Sequence, residues 1–269
     1  DVGEYPVGIE AADFENTSVN FTNVEFVVVD GALNITPAEN IAVKIAGSTK
    51  TVIYDGTEQT VEGYTVTSNP ADATVTLVGE AAASGTDANT YPMGLKSSDF
   101  TATSPNYKKI TIEVTDGWLK IDPIADKVTV TVTENSAAVT YDGTEHSVTG
   151  YKSMTADNTL YDVEKNVAEK PTKAWTAKGT DAGEYPVGIV SGDFRNISKN
   201  FTNVEFVIVD GTLKIDPVSD KVTVTITENA DTVIYDTKEH SVKGYKSMTA
   251  DNALYDVKKN VAETSTEAW

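Results

Sequence analysis

The sequence predicts a mainly β protein built as a tandem array of small modules, and three observations predict it. The block DVGEYPVGI at residues 1–9 returns as DANTYPMGL at 87–95 and as DAGEYPVGI at 181–189. The segments KVTVTVTE at 127–134 and KVTVTITE at 221–228 alternate apolar residues with Thr, the period of a half-buried strand. The dipeptides Asp30-Gly31, Asp116-Gly117 and Asp210-Gly211 sit at the same place in each copy, between two apolar runs.

Counting fixes the register. Residues 1–37 align without a gap on 87–123 and on 181–217, and Tyr54, Tyr141 and Tyr235 open a second ladder of Tyr-Asp steps. Two complete modules follow, 39–125 and 126–219, with the C-terminal half of a module ahead of them at 1–38 and the N-terminal half of another behind them at 220–269. A complete module has about 90 residues, enough for one small core. Repetition at this scale argues for an array that spaces, displays or assembles something, because catalysis needs one special constellation rather than near-copies. The two halves are complementary in sequence, which raises head-to-tail self-association as a further reading.

Within a module the elements run as follows. The opening strand places Val128, Val130 and Val132 on one face and Thr129, Thr131 and Thr133 on the other; IAVKI at 41–45 is its counterpart. Thr140-Tyr141-Asp142-Gly143 marks a turn into a strand at 146–151. LYDVEKNVAE at 160–169 allows two or three helical turns with Leu160, Val163 and Val167 on one side, and 254–263 copies it; the first module has extended-looking text at 71–85. VEFVIV at 204–209 and TLKI at 212–215 read as two strands joined by a tight Asp-Gly turn. Pro123 and Pro217 then close the modules, and the short links to Asp126-Lys127 and Asp220-Lys221 predict an elongated, semi-rigid rod.

Composition narrows the class. The chain has no cysteine, so no disulfide or thiolate metal site contributes. Its net charge is −20, and every segment is acidic, from 7 acids and no bases in 1–38 to 9 acids and 6 bases in 220–269. Such a surface repels phosphate backbones and anionic lipid, which argues against nucleic-acid and membrane partners. No stretch approaches the roughly 20 apolar residues of a membrane span. Any targeting or anchoring segment of a secreted parent is expected outside this sequence.

No catalytic, cofactor-binding or metal-binding residue is assigned, and no cofactor is expected. His146 and His240 are one repeat apart, are replaced by Gln59 in the first module, and read as surface strand positions. The carboxylates recur with the module and form no unique Ser/His/Asp set, so the chain does not read as an enzyme. Tyr54, Tyr64 and Tyr91 recur and are expected in the core. Trp118 is different: Leu119 and Ile121 point inward, so Trp118 faces outward, as a contact for a partner or as a cover for a neighbouring strand. Trp175 and Trp269 are module features, with Ala81 in the first copy. Asp122 with Asp126, and Asp216 with Asp220, are solvated acids or a sparse Ca²⁺ site. A Lys–Asn isopeptide bond would need lysine at one core position in every copy, but Thr65 stands opposite Lys152 and Lys246, and Asn34 opposite Lys120 and Lys214.

The stretches YDGTEHSVTGY at 141–151, GTDAGEYPVG at 179–188 and VDGTLKIDP at 209–217 resemble the tandem MBG/YDG-type repeats of large bacterial surface proteins. The resemblance covers the whole chain, with small departures at Thr237 and Asn89, where the motif has Gly. It implies β-grasp-like modules and an extracellular location on the bacterial surface, in a wall-attached or secreted adhesin. There the modules form a stalk behind a distal binding domain. The alternatives it leaves open are direct binding of host glycan, mucin or protein, and a filament built through the half-modules.

Overall fold

The computed structural model describes residues 1–171 and 173–264. Among these residues the chain is mainly β, with two one-turn α-helices, Val163–Asn166 and Val257–Asn260. No helix among them is long and apolar enough to cross a membrane. The chain divides into two compact units. The first contains Asp1–Asp126 with Ser198–Asn203, and the second contains Lys127–Ile197 with the described residues from Val204 onward.

In the first unit the strand Ala38–Gly47 turns a corner at Ser48 and continues as Thr49–Ile53. Beside it and parallel to it runs Tyr107–Thr115, which turns its own corner and continues as Trp118–Asp122. Each parallel pair gains one antiparallel neighbour: Tyr64–Ser68 beside Ala38–Gly47, and Asn89–Pro92 beside Trp118–Asp122. The corner divides the pairing into two three-stranded sheets. Val43 and Ile45 fill one core with Leu95 and Phe100, and Leu119 and Ile121 fill another with Val61 and Ala83. The corners nest closely, since a Cβ on Gly47 would lie 2.4 Å from the Gly117 nitrogen.

The second unit repeats this plan. Val128–Glu134 runs parallel to Val204–Val209, and Ala137–Thr140 runs parallel to Thr212–Asp216. Tyr151–Ala156 and Gly183–Pro186 supply the antiparallel neighbours. Val128, Val130 and Val132 are buried, as the alternation predicts, and Glu134 is buried with them. Glu134 stands where the first unit has Gly47.

Two sequence expectations change. The Asp-Gly dipeptides do not close hairpins: the strands on either side of Asp116-Gly117 and of Asp210-Gly211 lie in different sheets and each pairs with a parallel partner. A tight turn between two apolar runs does not say whether the chain folds back or bends onward, and here burial on a second sheet outweighs local pairing. The expected two or three helical turns shrink to Val163–Asn166. Val167–Glu169 leaves the helix to pair antiparallel with Phe194–Asn196, so a ladder replaces the third turn. Asp162 caps what remains by accepting the backbone N–H groups of Glu164 and Lys165.

The terminal half-modules fold only in part. Gly3–Pro6 pairs with Ala32–Ile35, while residues 24–29, the counterparts of Val204–Val209, form no strand. Val224–Glu228 pairs with Tyr245–Ala250 alone, and residues 231–234, the counterparts of Ala137–Thr140, form no strand either.

Candidate functional site

The repeated Asp-x-x-x-Tyr block is a receptor for another segment of the repeat. The Tyr5, Tyr91 and Tyr185 hydroxyls donate to the carbonyls of Asp1, Asp87 and Asp181 at 2.9, 2.9 and 3.0 Å. This clip fixes the Asp backbone and turns its carboxylate and the following N–H in one direction. An asparagine with both an acceptor and a donor on one amide matches that pair.

Such an asparagine is present. In the first unit Asn106 Oδ1 accepts the Val2 N–H at 3.0 Å, and Asn106 Nδ2 donates to Asp1 Oδ1 at 3.2 Å. The same unit repeats the latch one module later, with Asn200 Oδ1 accepting from Ala88 at 2.7 Å and Asn200 Nδ2 donating to Asp87 Oδ1 at 2.9 Å. The backbone joins in: Ala38 N–H donates to Asn106 O, and Ile124 N–H donates to Asn200 O, both at 2.9 Å. Within each segment the Asn N–H is held by a serine two residues earlier, Ser104 or Ser198.

The residue after each Asn is aromatic. Phe201 is 2 % exposed and meets the Tyr54 ring edge-on at 5.8 Å, while its backbone forms a parallel bridge with Ile124. The latch therefore has four parts: a clipped Asp, the N–H beside it, the Asn amide and an aromatic wedge. Its signal in the sequence is Ser-x-Asn-aromatic at 18–21, 104–107 and 198–201. Sequence reasoning concentrated on Asp, His and Trp and missed it, because asparagine carries no charge and no catalytic reputation.

The residues singled out from sequence are not brought together. His146 Nε2 lies 2.9 Å from Asp142 Oδ1, and His240 Nε2 lies 2.7 Å from Asp236 Oδ1. Gln59 Nε2 makes the corresponding bond to Asp55 at 3.0 Å. These side chains staple a turn. The Thr144 hydroxyl and N–H, with His146, hold the Asp142 carboxyl down at about 2.

Trp118 is half-buried, in register with Pro92 and Thr49, which fits a cover over neighbouring strands. Tyr64 packs edge-on against Phe100 at 5.1 Å, and Tyr91 joins the core around Leu119. Trp175 Nε1 donates to the buried Asp193 at 2.9 Å; Trp269 lies outside the described residues. Asp122 and Asp216 are paired with Lys120 and Lys214, each at 2.8 Å. No group of three or more His, Cys, Asp or Glu among the described residues is placed to hold a metal. Lys120, Lys152, Lys214 and Lys246 are exposed rather than in a core.

Comparison of the chain with family models, with curated proteins and with solved structures finds no match.

Proposed function

We infer that the chain is a non-catalytic structural stalk, a run of β-grasp-like spacer modules from a bacterial surface adhesin that displays a distal binding domain. One observation carries the reading. In each complete module the first two strands lie parallel beside the last two: Ala38–Gly47 with Tyr107–Thr115 and Thr49–Ile53 with Trp118–Asp122 in one, Val128–Glu134 with Val204–Val209 and Ala137–Thr140 with Thr212–Asp216 in the other. Tension applied through the chain ends pulls such strands in opposite directions along their length, so the ladder hydrogen bonds are loaded together in shear rather than opened one at a time. A module that transmits force benefits from this arrangement; a binding domain has no need of it. The acidic surface supports the same reading by keeping neighbouring arrays apart.

Single-molecule pulling tests it. The expected record has two high-force unfolding events, each releasing the length of one module, with slow unfolding along the loaded direction. Opening at low force would remove the mechanical argument. Binding of the folded chain to a glycan or host-protein array, lost in Trp118→Ala, would replace the stalk with direct recognition.

A further inference from the structure

We propose that Tyr54, Asp87, Ala88 and Ile124 of the first unit form a peptide-recognition site, selective for an extended Ser-x-Asn-aromatic segment, which residues 198–203 occupy as a tethered, replaceable ligand. Peptide recognition is an activity beyond the stalk reading, which does not require it.

Three observations separate the segment from the body that holds it. Ser198–Asn203 packs with the first unit, while Ile197 before it and Val204 after it belong to the second. The buried residues of the core beside the site, Val61, Ala83, Leu119 and Ile121, all come from the first complete module. Among the described residues the segment enters no strand; a parallel bridge joins Phe201 to Ile124. A piece of chain that adds to a finished core, and that is supplied from another module, is bound in the manner of a ligand.

The chemistry of the site selects that ligand. The Tyr91 hydroxyl holds the Asp87 carbonyl, and the Asp87 carboxylate and the Ala88 N–H both reach the segment. One accepts and the other donates, and the short amide of Asn200 answers both. An aspartate there would set a second carboxylate against Asp87, and an alanine would leave both groups unanswered. Ile124 holds the segment by its backbone, donating to Asn200 O at 2.9 Å and accepting the Thr202 N–H at 3.1 Å, so this part of the contact is indifferent to side chains. Tyr54 meets the Phe201 ring edge-on, which favours an aromatic residue after the Asn. Ser198 Oγ accepts the Asn200 N–H and shapes the segment, while Lys199 is exposed and unread. The amide geometry recurs where Asn106 meets Asp1 and Val2, so it belongs to the motif.

Refilling a vacated site tests it. In the full chain, Asn200→Ala/Phe201→Ala removes the ligand groups, and a synthetic peptide with the sequence of residues 196–204 is then added in trans. Hydrogen exchange reads two places at once: the Leu119 and Ile121 amides report the core, and the Ala88 amide reports the site. The variant is expected to keep its core protection while Ala88 exchanges at least about tenfold faster, and the peptide should restore Ala88 protection with saturation. Peptides carrying Asn200→Asp or Phe201→Ala should bind at least about tenfold more weakly. Loss of core protection in the variant would make the segment a core element rather than a ligand. No protection of Ala88 by the peptide, or equal protection by the Asn200→Asp peptide, would remove the recognition site. Any one of these results overturns the proposal.

Discussion

Glu134 Oε2 accepts the backbone N–H of Gly211 at 2.6 Å inside the second unit, where the carboxylate is 2 % exposed. Its other oxygen accepts the Ile189 N–H at 2.5 Å. The first unit has Gly47 at this place and answers the same need from the facing strand, with Asp116 accepting from Gly94 at 3.0 Å and Leu95 at 2.9 Å. A chain that turns a corner between sheets leaves N–H groups outside both ladders, and each unit provides one carboxylate to receive them.

Removing that carboxylate should therefore be severe. Glu134→Ala strands two buried donors and is expected to destabilise the second unit by about 2–5 kcal/mol. Asp116→Ala acts at a half-buried site and should take about 1–2 kcal/mol from the first unit. Urea unfolding followed separately for each unit checks both, and equal losses would contradict the difference in burial.

Asn200→Ala should show its effect in the first unit although it lies in the second module's sequence. The Ala88 N–H loses its acceptor and Asp87 loses a donor, for about 1–2 kcal/mol. Hydrogen exchange at the Ala88 amide is the direct readout. Unchanged protection there would mean that the aromatic wedge alone seats the segment.

Alkaline pH should weaken the second unit in a defined window. Tyr151 donates to Glu169 Oε1 at 2.6 Å, and this bond, with burial, raises its phenol to about 12; burial raises Tyr161 to about 12 as well. A phenol that ionises near 10 in the unfolded chain and near 12 in the folded one contributes stability that is fully present below pH 10. That contribution is lost as pH rises through 12. Near-UV absorbance should show these two tyrosines ionising after the exposed ones, and Glu169→Gln should bring Tyr151 back toward 10 while leaving Tyr161 in place.

Thr237 occupies the left-handed backbone region at φ 68°, where Gly143 sits at φ 76° in the intact module. A β-branched residue is strained there by roughly 1–2 kcal/mol. Thr237→Gly should relieve most of this and raise the unfolding temperature of the terminal half-module, and Gly143→Thr should lower that of the second unit. A neutral result in both would show that the turn relaxes freely.

Legibility in the sequence was uneven for physical reasons. Strand identity at Val128–Glu134 was plain because side chains alternate across a sheet, and burial of its three valines follows from that period. Glu134 was unreadable: an acid that ends the valine face of a strand looks solvated until Ile189 and Gly211, 55 and 77 residues further along the chain, are brought to it. The Asp116-Gly117 and Asp210-Gly211 dipeptides marked real breaks between strands but gave no sign of the sheet the next strand would join. The latch left a trace in three copies, yet only the contacts of Asn106 and Asn200 reveal what the trace is for.

By itself the sequence determined the repeat, its register, the mainly β character and the acidic surface, since these depend on periodicity and composition. The tertiary structure decided the corner between sheets, the parallel pairing of the first two strands with the last two and the seating of Asn200 on Asp87. Those are contacts between residues far apart in the chain. Local pattern fixes which face of a strand is apolar, but the partner that covers the face is chosen by the packing of the whole module.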